Sequence, residues 1–536
     1  MAPFLQELVV SPVTILVLVL SYIAYWRSKH RLLLPVDWPL VGLLPSLVAN
    51  LRNLHDYVTA VLAASGQSFA ANAPAATNMR LFITCDPDNV RHIFTANHEN
   101  YPKGHEFAEI FDVMAGSFFT MDGEPSRRPR AEQSILGDPR VVASMVSSCH
   151  DKVRGGLVPL LASMASRRTP VEVQDLATRL MFDVTAMAVF GVDPGCLSPD
   201  MPSMRVSAGM DTIMEVGLFR HTVPACWKAM RRLKVGPERK LAAAHAVLHG
   251  FVTEMMEKAK KYRHGHGDDE AEEKRAAAAP PPSAVDILSS YINDPDYNAD
   301  GHLLRTMLIT YMVAGPDTVG TTLSWFFYNL AMNPHVVSAI RHELAPIASR
   351  NKAAATSTAA TTNGDHHTAV MFSPEDTKPL VYLQAALFET LRLYPPGPIE
   401  RKTVVADDVM PRGHEVRAGD AVLISLYAMG RMEALWGKDW REYRPERWLT
   451  VSVSGDGGGR KKQLRYVPSH KFLAFNSGPR MCHGKHIAVA QMKTVAAAVV
   501  WNFDVEVVGG QAVEPKLSCL LQMKNGLVVK VKRRAV

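Results

Sequence analysis

Phe475-Asn-Ser-Gly-Pro-Arg-Met-Cys-His-Gly484 decides how this chain is read, because an apolar run with helical spacing, Ile487 to Val500, follows it directly. A cysteine acts as a nucleophile or metal ligand through its thiolate, which a helix N-terminus or a nearby cation stabilises. Cys482 has both in the sequence: the helix begins just after it, and Arg480 stands two residues before it. Gly478 and Gly484 remove side chains where something flat and bulky could approach the backbone. Cys85, Cys149, Cys196, Cys226 and Cys519 have no such surroundings and read as structural thiols. No two of the six cysteines lie within five residues of each other, so a CxxC zinc or redox motif and a disulfide scaffold are excluded.

Working outward, three further clusters carry chemistry. Glu389 and Arg392, three residues apart, share one face of an apolar helical stretch, Leu380 to Tyr394, and Arg447 in Tyr443-Arg-Pro-Glu-Arg-Trp448 can join them. On a surface such a pair would contribute only a few tenths of a kcal/mol. Ala314-Gly-Pro-Asp-Thr318 lies inside another apolar run, His302 to Met332, where an acid and a hydroxyl are awkward unless used. Thr318 can bond back to a carbonyl one turn earlier and open a groove, and Pro316 lacks a backbone donor, which reinforces the distortion. The simpler alternative is an ordinary kink.

Together these stretches resemble the cytochromes P-450. F-x-x-G-x-R-x-C-x-G is similar to that family's haem-binding loop, and Ala314–Thr318, Glu389/Arg392 and Arg447 resemble its A-G-x-D-T segment and its E-R-R triad, in the same order. The similarity runs from about Pro35 to the C-terminus. It implies a mainly α fold with small β-sheets and haem b (iron protoporphyrin IX) as cofactor. Cys482 would be the axial ligand of the iron, pushing electron density that favours O–O cleavage. Phe475, Gly478, Arg480 and Gly484 would complete the haem loop, Asp317 and Thr318 would deliver protons, and Glu389, Arg392 and Arg447 would lock the fold. Where the family carries W-x-x-x-R facing the haem propionates, this chain has Asp122-Gly-Glu-Pro-Ser-Arg-Arg-Pro-Arg130. Arg130 matches, Ser126 replaces the tryptophan, and Pro125 and Pro129 interrupt the helix, a departure that weakens the expected grip on haem. The competing class is therefore a catalytically impaired haem-binding protein.

Composition bounds the rest. The 536 residues are 47% hydrophobic and 21% charged, which excludes a disordered or fibrous chain, and the net charge of +7 is too mild to argue for nucleic acid. Val9 to Trp26 holds no charged residue, and Arg27, Lys29 and Arg31 follow it. Residues 1–31 thus read as one retained transmembrane anchor with the body on the cytosolic face of the endoplasmic reticulum. Residues 32–48 read as a proline-bearing linker and 49–536 as the body. Segments 264–282, 350–368 and 451–462 carry Ala, Pro, Gly and charge bias and read as solvated insertions. Helical spacing also marks Val171–Phe190 and Lys240–Lys258, whereas Lys402–Ile424 alternates and reads as sheet with a turn at Pro411 and Gly413.

A chain filled by one haem domain leaves no room for flavin and nicotinamide domains. The resemblance therefore implies electrons from NADPH through a separate microsomal reductase, an acidic partner that the basic excess suits. Asn100–Gly104, Gly156–Pro159, Tyr427–Met432 and Phe475–Arg480 look closest to a plant branch near the fatty-acid omega-hydroxylases and mid-chain alkane hydroxylases. That likeness implies a long aliphatic fatty acid, alkane or alcohol of plant lipid or cuticle metabolism, taken from the membrane lipid phase. Some relatives instead couple phenols in alkaloid synthesis. Glu400, after the ExxR helix, is an unexpected charge for an aliphatic pocket.

Overall fold

The computed structural model describes residues 41–73, 79–122, 135–222, 226–264, 286–292, 301–358, 369–453 and 460–534, together with Val19, Tyr22 and Trp38. The helices that frame the site are, in chain order, α1 (His105–Ile110), α2 (Pro139–Lys152), α3 (Val173–Phe190), α4 (Arg205–Thr222), α5 (Gly236–His264), α6 (Gly301–Ala314), α7 (Pro316–Met332), α8 (Pro334–Thr358), α9 (Val381–Leu393) and α10 (Lys485–Asn502). The strands are β1 (Ser68–Asn72), β2 (Arg80–Thr84), β3 (Val171–Glu172), β4 (Ile399–Thr403), β5 (Asp408–Val409), β6 (Glu415–Val416), β7 (Ala421–Ser425), β8 (Leu449–Val453), β9 (Arg460–Leu464), β10 (Phe503–Val507) and β11 (Val528–Arg533).

The core forms around α3 and α7. α3 is mainly apolar and buried almost throughout, as a helix surrounded by other helices must be, with its buried Arg179 and Asp183 hydrogen-bonded. Glu172 caps it by accepting from Gln174 N (2.9 Å) and Asp175 N (2.6 Å), and Gly191 ends it in the left-handed conformation at φ 71°. A Cβ at Gly315 would come within 2.7 Å of Thr185 Oγ1, so the glycine lets the start of α7 lie directly on α3. Trp325 on α7 stacks on Tyr394 with ring centroids 3.9 Å apart and donates its indole N–H to Leu521 O (2.7 Å), tying α7 to the end of α9 and to the C-terminal loop. Beside this body the sheet β1-β2-β7-β4 pairs β2 with β7 in parallel and the rest antiparallel, and a second sheet orders β10-β11-β3.

Several expectations change. The apolar run His302–Met332 is two helices, because the ladder breaks at Gly315 and Pro316 opens α7, where its missing N–H costs nothing. Segment 350–368 begins as helix rather than insertion: α8 continues to Thr358, since Lys352 and the alanines that follow are good helix formers. Segment 451–462 is largely a hairpin, with β8 pairing antiparallel to β9 from Leu449↔Leu464 to Val453↔Arg460, its strands concealed by the glycine-rich composition of the tip. In segment 264–282, His264 is the last residue of α5, and the remainder lies outside the described residues. The end of the expected linker belongs to the body: Pro45 starts a helix, Leu44–Ala49, and buried Leu43 donates its N–H to Asn72 O (3.0 Å). Lys402–Ile424 resolves into strands around the turn at Gly413, φ 85°. The expected anchor lies outside the described residues except for Val19 and Tyr22, and among the described residues no helix is long and apolar enough to cross a membrane.

Candidate active site

The Cys482 loop is held by its own backbone. Cys482 N donates to Phe475 O (2.8 Å), Asn476 N donates to Leu473 O (2.8 Å), and Asn476 itself adopts φ 62°. Gly478 has φ 56°, and a Cβ there would sit 2.1 Å from Phe94 O, so the loop rests on the turn His92–Ala96 at a point where only glycine fits. The loop ends at Gly484, where α10 begins. Cys482 opens into a cavity of about 1540 Å³ that runs beneath α6, α7 and the β4 strand. Loss of water raises its thiol pKa, while the backbone N–H groups of Gly484 and Lys485 and the Lys485 charge act the other way. Arg480, expected to stabilise the thiolate, instead pairs with Asp122. The cation beside the thiol is Lys485.

Opposite the loop lies the break between α6 and α7. Thr318 Oγ1 donates to Ala314 O (2.8 Å), taking up a carbonyl freed at the break, and Thr318 lines the cavity with Gly315 and Thr322. Asp317 diverges from it. Successive residues of a helix point about 100° apart, and Asp317 is buried away from the cavity lining with neither carboxylate oxygen hydrogen-bonded. Burial and the negative charge of Asp211 push its pKa up to about 8, with Lys516 opposing. Asp317 and Thr318 are neighbours in sequence but do not share a face toward the cavity.

Behind the loop, Glu389 is completely buried and fully partnered. Arg392 donates to both of its oxygens (2.8 and 2.9 Å); Arg447 Nε (3.2 Å) and Arg444 N (3.0 Å) donate to Oε1 and Trp448 Nε1 (2.9 Å) to Oε2. Arg392 also reaches Gly430 O and Trp440 O, so it ties α9 to the segment that leads into β8. Phe388 of α9 packs against Phe475, which connects the network to the cysteine loop.

On the other wall, sequence reading singled out Glu400 but missed the lysines that pair with it. Strand alternation points Glu400 and Lys402 of β4 the same way, and Lys402 Nζ lies 3.3 Å from Glu400 Oε1 and over the Phe94 ring. Lys103 joins them, donating to Phe119 O (2.9 Å) above the Phe107 and Phe119 rings. Burial lowers the Lys103 pKa to about 8 against the pull of Glu400. Burial works to raise the Glu400 carboxyl, but Lys103 and Lys402 outweigh it and hold the pKa below its ordinary value. Arg401, on the alternate face, pairs instead with Glu106 of α1. The i, i+2 pattern of Glu400 and Lys402 was visible in the sequence; nothing there linked Lys103 to it. Arg130, with Ser126 and Pro129, lies outside the described residues.

These residues fit haem b. No cluster of three metal-ligating side chains occurs among the described residues, so a metal at Cys482 has to arrive with its other donors supplied. The cavity is lined by two thiols, Cys482 and Cys519, of which only Cys482 has a cation and helix-start N–H groups beside it, by a wide apolar space, and by four cations, Lys103, Arg401, Lys402 and Arg480, against three acids, Glu99, Asp122 and Glu400. A flat, dianionic macrocycle complements that set.

Fold and site therefore define a haem-thiolate oxygenase. The family model described as Cytochrome P450 matches residues 34–531, and the chain belongs to that family of monooxygenases. It is 35% identical to noroxomaritidine synthase 2 of Narcissus aff. pseudonarcissus, over 97% of this chain and 95% of the relative. It is also 35% identical to cytochrome P450 86B1 of Arabidopsis thaliana, over 99% and 91%, and 34% identical to the alkane hydroxylase MAH1 of the same plant, over 93% of each.

Proposed function

We propose that the chain inserts one oxygen atom of O2 into a long aliphatic substrate, by omega-hydroxylation of a fatty acid or hydroxylation of an alkane or alcohol. In this reading residues 1–31 hold it on the endoplasmic reticulum membrane, residues 49–536 form the haem domain on the cytosolic face, and a separate reductase passes it electrons from NADPH. The observation that carries the reading is the apolar lining that Met114, Phe118, Met214, Val313 and Leu520 give to the cavity that holds Cys482, a space of about 1540 Å³, large enough for cofactor and chain together. The similarity to cytochrome P450 86B1 and to the alkane hydroxylase points the same way.

Haem b, when bound, supplies the reductive activation of dioxygen, which uses two electrons and two protons and releases the second oxygen atom as water. Cys482 would hold it as thiolate, favoured by Lys485 and the N–H groups at the start of α10. Arg480, Lys402 and Lys103 would hold its propionates, with Arg130 a fourth candidate. Thr318 would hold a proton at Oγ1 for delivery across the groove, a role supported by its hydroxyl lining the cavity at the break. Asp317 would reload that proton through water, since it does not line the cavity itself.

The test feeds fatty acids, alkanes and alcohols to microsomes supplied with reductase and NADPH and identifies products. An oxygenated aliphatic product dependent on NADPH is expected, and its absence across the panel overturns the reading. Cys482→Ala should abolish the red-shifted carbon-monoxide band of the reduced protein; its persistence would remove Cys482 as ligand. A second reading, phenol coupling, is favoured by one feature. The rings of Phe107, Phe111 and Phe119 pack on one another within 5.4 Å at the cavity, beside His221. Phenol coupling would join two phenolic rings with loss of two hydrogen atoms, both oxygen atoms of O2 leaving as water and none entering the product.

A further inference from the structure

Among the polar groups that line the cavity, His221 belongs neither to the thiol loop, nor to the proton path, nor to the cation set. His221, in the last turn of α4, lines the cavity, and its Nδ1 lies 2.7 Å from Gly217 O. A carbonyl oxygen can only accept, so Nδ1 carries the hydrogen and a neutral ring presents Nε2 as a lone pair. Nε2 has no hydrogen-bond partner among the described residues. The bond to Gly217 O sets the ring's orientation, with Phe107 edge-on to it (centroids 6.1 Å) and Phe111 beside it (5.8 Å).

The surroundings decide what that lone pair accepts from. Burial, then the Arg401 guanidinium, lower the His221 pKa to about 4, so the ring stays neutral at physiological pH. Arg401 is buried, but its charge is already matched by Glu106 of α1. Glu106 thus offsets Arg401 beside the neutral ring, and the Glu400 carboxylate, which also acts on His221, is offset by Lys103 and Lys402. A free carboxylate arriving here has no proton to give to Nε2 and has to compete with Glu106 for Arg401. A saturated hydrocarbon leaves Nε2 without a partner in a dry site, which disfavours binding. An ammonium group could donate, but it would face Arg401. A hydroxyl donates one hydrogen bond, carries no charge, and suits an apolar, partly aromatic wall.

We infer that His221 Nε2 accepts a hydrogen bond from a neutral hydroxyl group of the substrate, so that the enzyme selects hydroxylated molecules, long-chain alcohols or phenols, over free fatty acids and alkanes. The inference rests on the reading of this cavity as the substrate chamber, which it narrows. His221 is a specificity residue here: it orients the hydroxyl end and takes no part in oxygen chemistry.

The test uses the full-length, haem-loaded protein and measures dissociation constants from substrate-induced shifts of the haem absorption, or by competition where a ligand gives none. Two matched sets separate the two sources of hydroxyl: 1-hexadecanol against hexadecane and hexadecanoate, and 4-dodecylphenol against its methyl ether. A hydroxyl compound is expected to bind about tenfold or more tightly than its partners, since a site built to hydrogen-bond a hydroxyl discriminates strongly against analogues that lack it. His221→Phe should erase that margin by weakening the hydroxyl compound alone, and His221→Gln, which keeps an acceptor, should retain part of it, with haem content by pyridine haemochromogen confirming that each variant is loaded. The margin for alcohol or phenol says which source the chamber takes. Equal binding of the phenol and its methyl ether together with equal binding of alcohol and alkane, or tightest binding of hexadecanoate, overturns the hydroxyl inference while leaving the chamber intact. Failure of every compound to bind overturns the chamber reading as well.

Discussion

Glu389 and Asp317 are both buried carboxylates on apolar helices, at 0% and 1% exposure, yet they live in opposite electrostatic worlds. Glu389 accepts from three arginines and an indole, so its charge is distributed across α9 and the chain leading to β8. Asp317 has no hydrogen-bond donor among the described residues and is held toward its neutral form. Burial alone does not reveal the role of an acid. A carboxylate saturated with donors fixes the geometry of the chain around it, whereas one buried without donors is held toward its neutral form.

The comparison can be broken at several points. The largest effect is expected for Glu389→Ala. It strands Arg392 without its partner in the core and should cost about 3–5 kcal/mol, read as a collapse of thermal stability and haem content. Asp317→Asn should behave in the opposite sense. The unfolded chain releases the Asp317 proton near the ordinary carboxylate pKa, whereas the folded protein keeps it up to about 8, so the folded state binds more protons in between and Asp317 erodes stability as pH rises through that window. The asparagine variant should match the wild type near pH 4 and gain on it by a few kcal/mol at pH 8 in thermal unfolding; an unchanged pH slope would show that Asp317 is ionised in the fold. Thr318→Ala should leave haem and ligand binding intact and shift only the ratio of product to NADPH consumed, severalfold downward, with hydrogen peroxide released. Lys402→Met should have the mildest effect, a faster loss of haem to an apomyoglobin acceptor, because Lys103 and Arg480 remain.

Much of this site is legible in the one-dimensional chain because its parts are local. The cysteine loop fits within ten residues, and Glu389 and Arg392 are one helical turn apart. Proximity also misled. Asp317 and Thr318 read as one catalytic unit, yet consecutive residues on a helix diverge, and only Thr318 lines the cavity. Arg480 read as the thiolate's cation, but its side chain spans to Asp122. Lys103 and His221 were invisible because each is a lone residue whose meaning comes from the walls that α1, α4 and β4 bring to it. The hairpin β8–β9 was missed for a different reason. Composition averages over a segment, and the polar tip outweighed the alternating valines of the strand before it.

The seat of Gly478 on Phe94 O has a consequence for how the protein is made. The cysteine loop is synthesised near the end of translation, but the surface that sets its height belongs to a turn made near the beginning. The thiol therefore reaches its final position only when the two ends of the chain have met. The seat thereby makes the height of the thiol depend on the turn His92–Ala96, however well the C-terminal helices are packed.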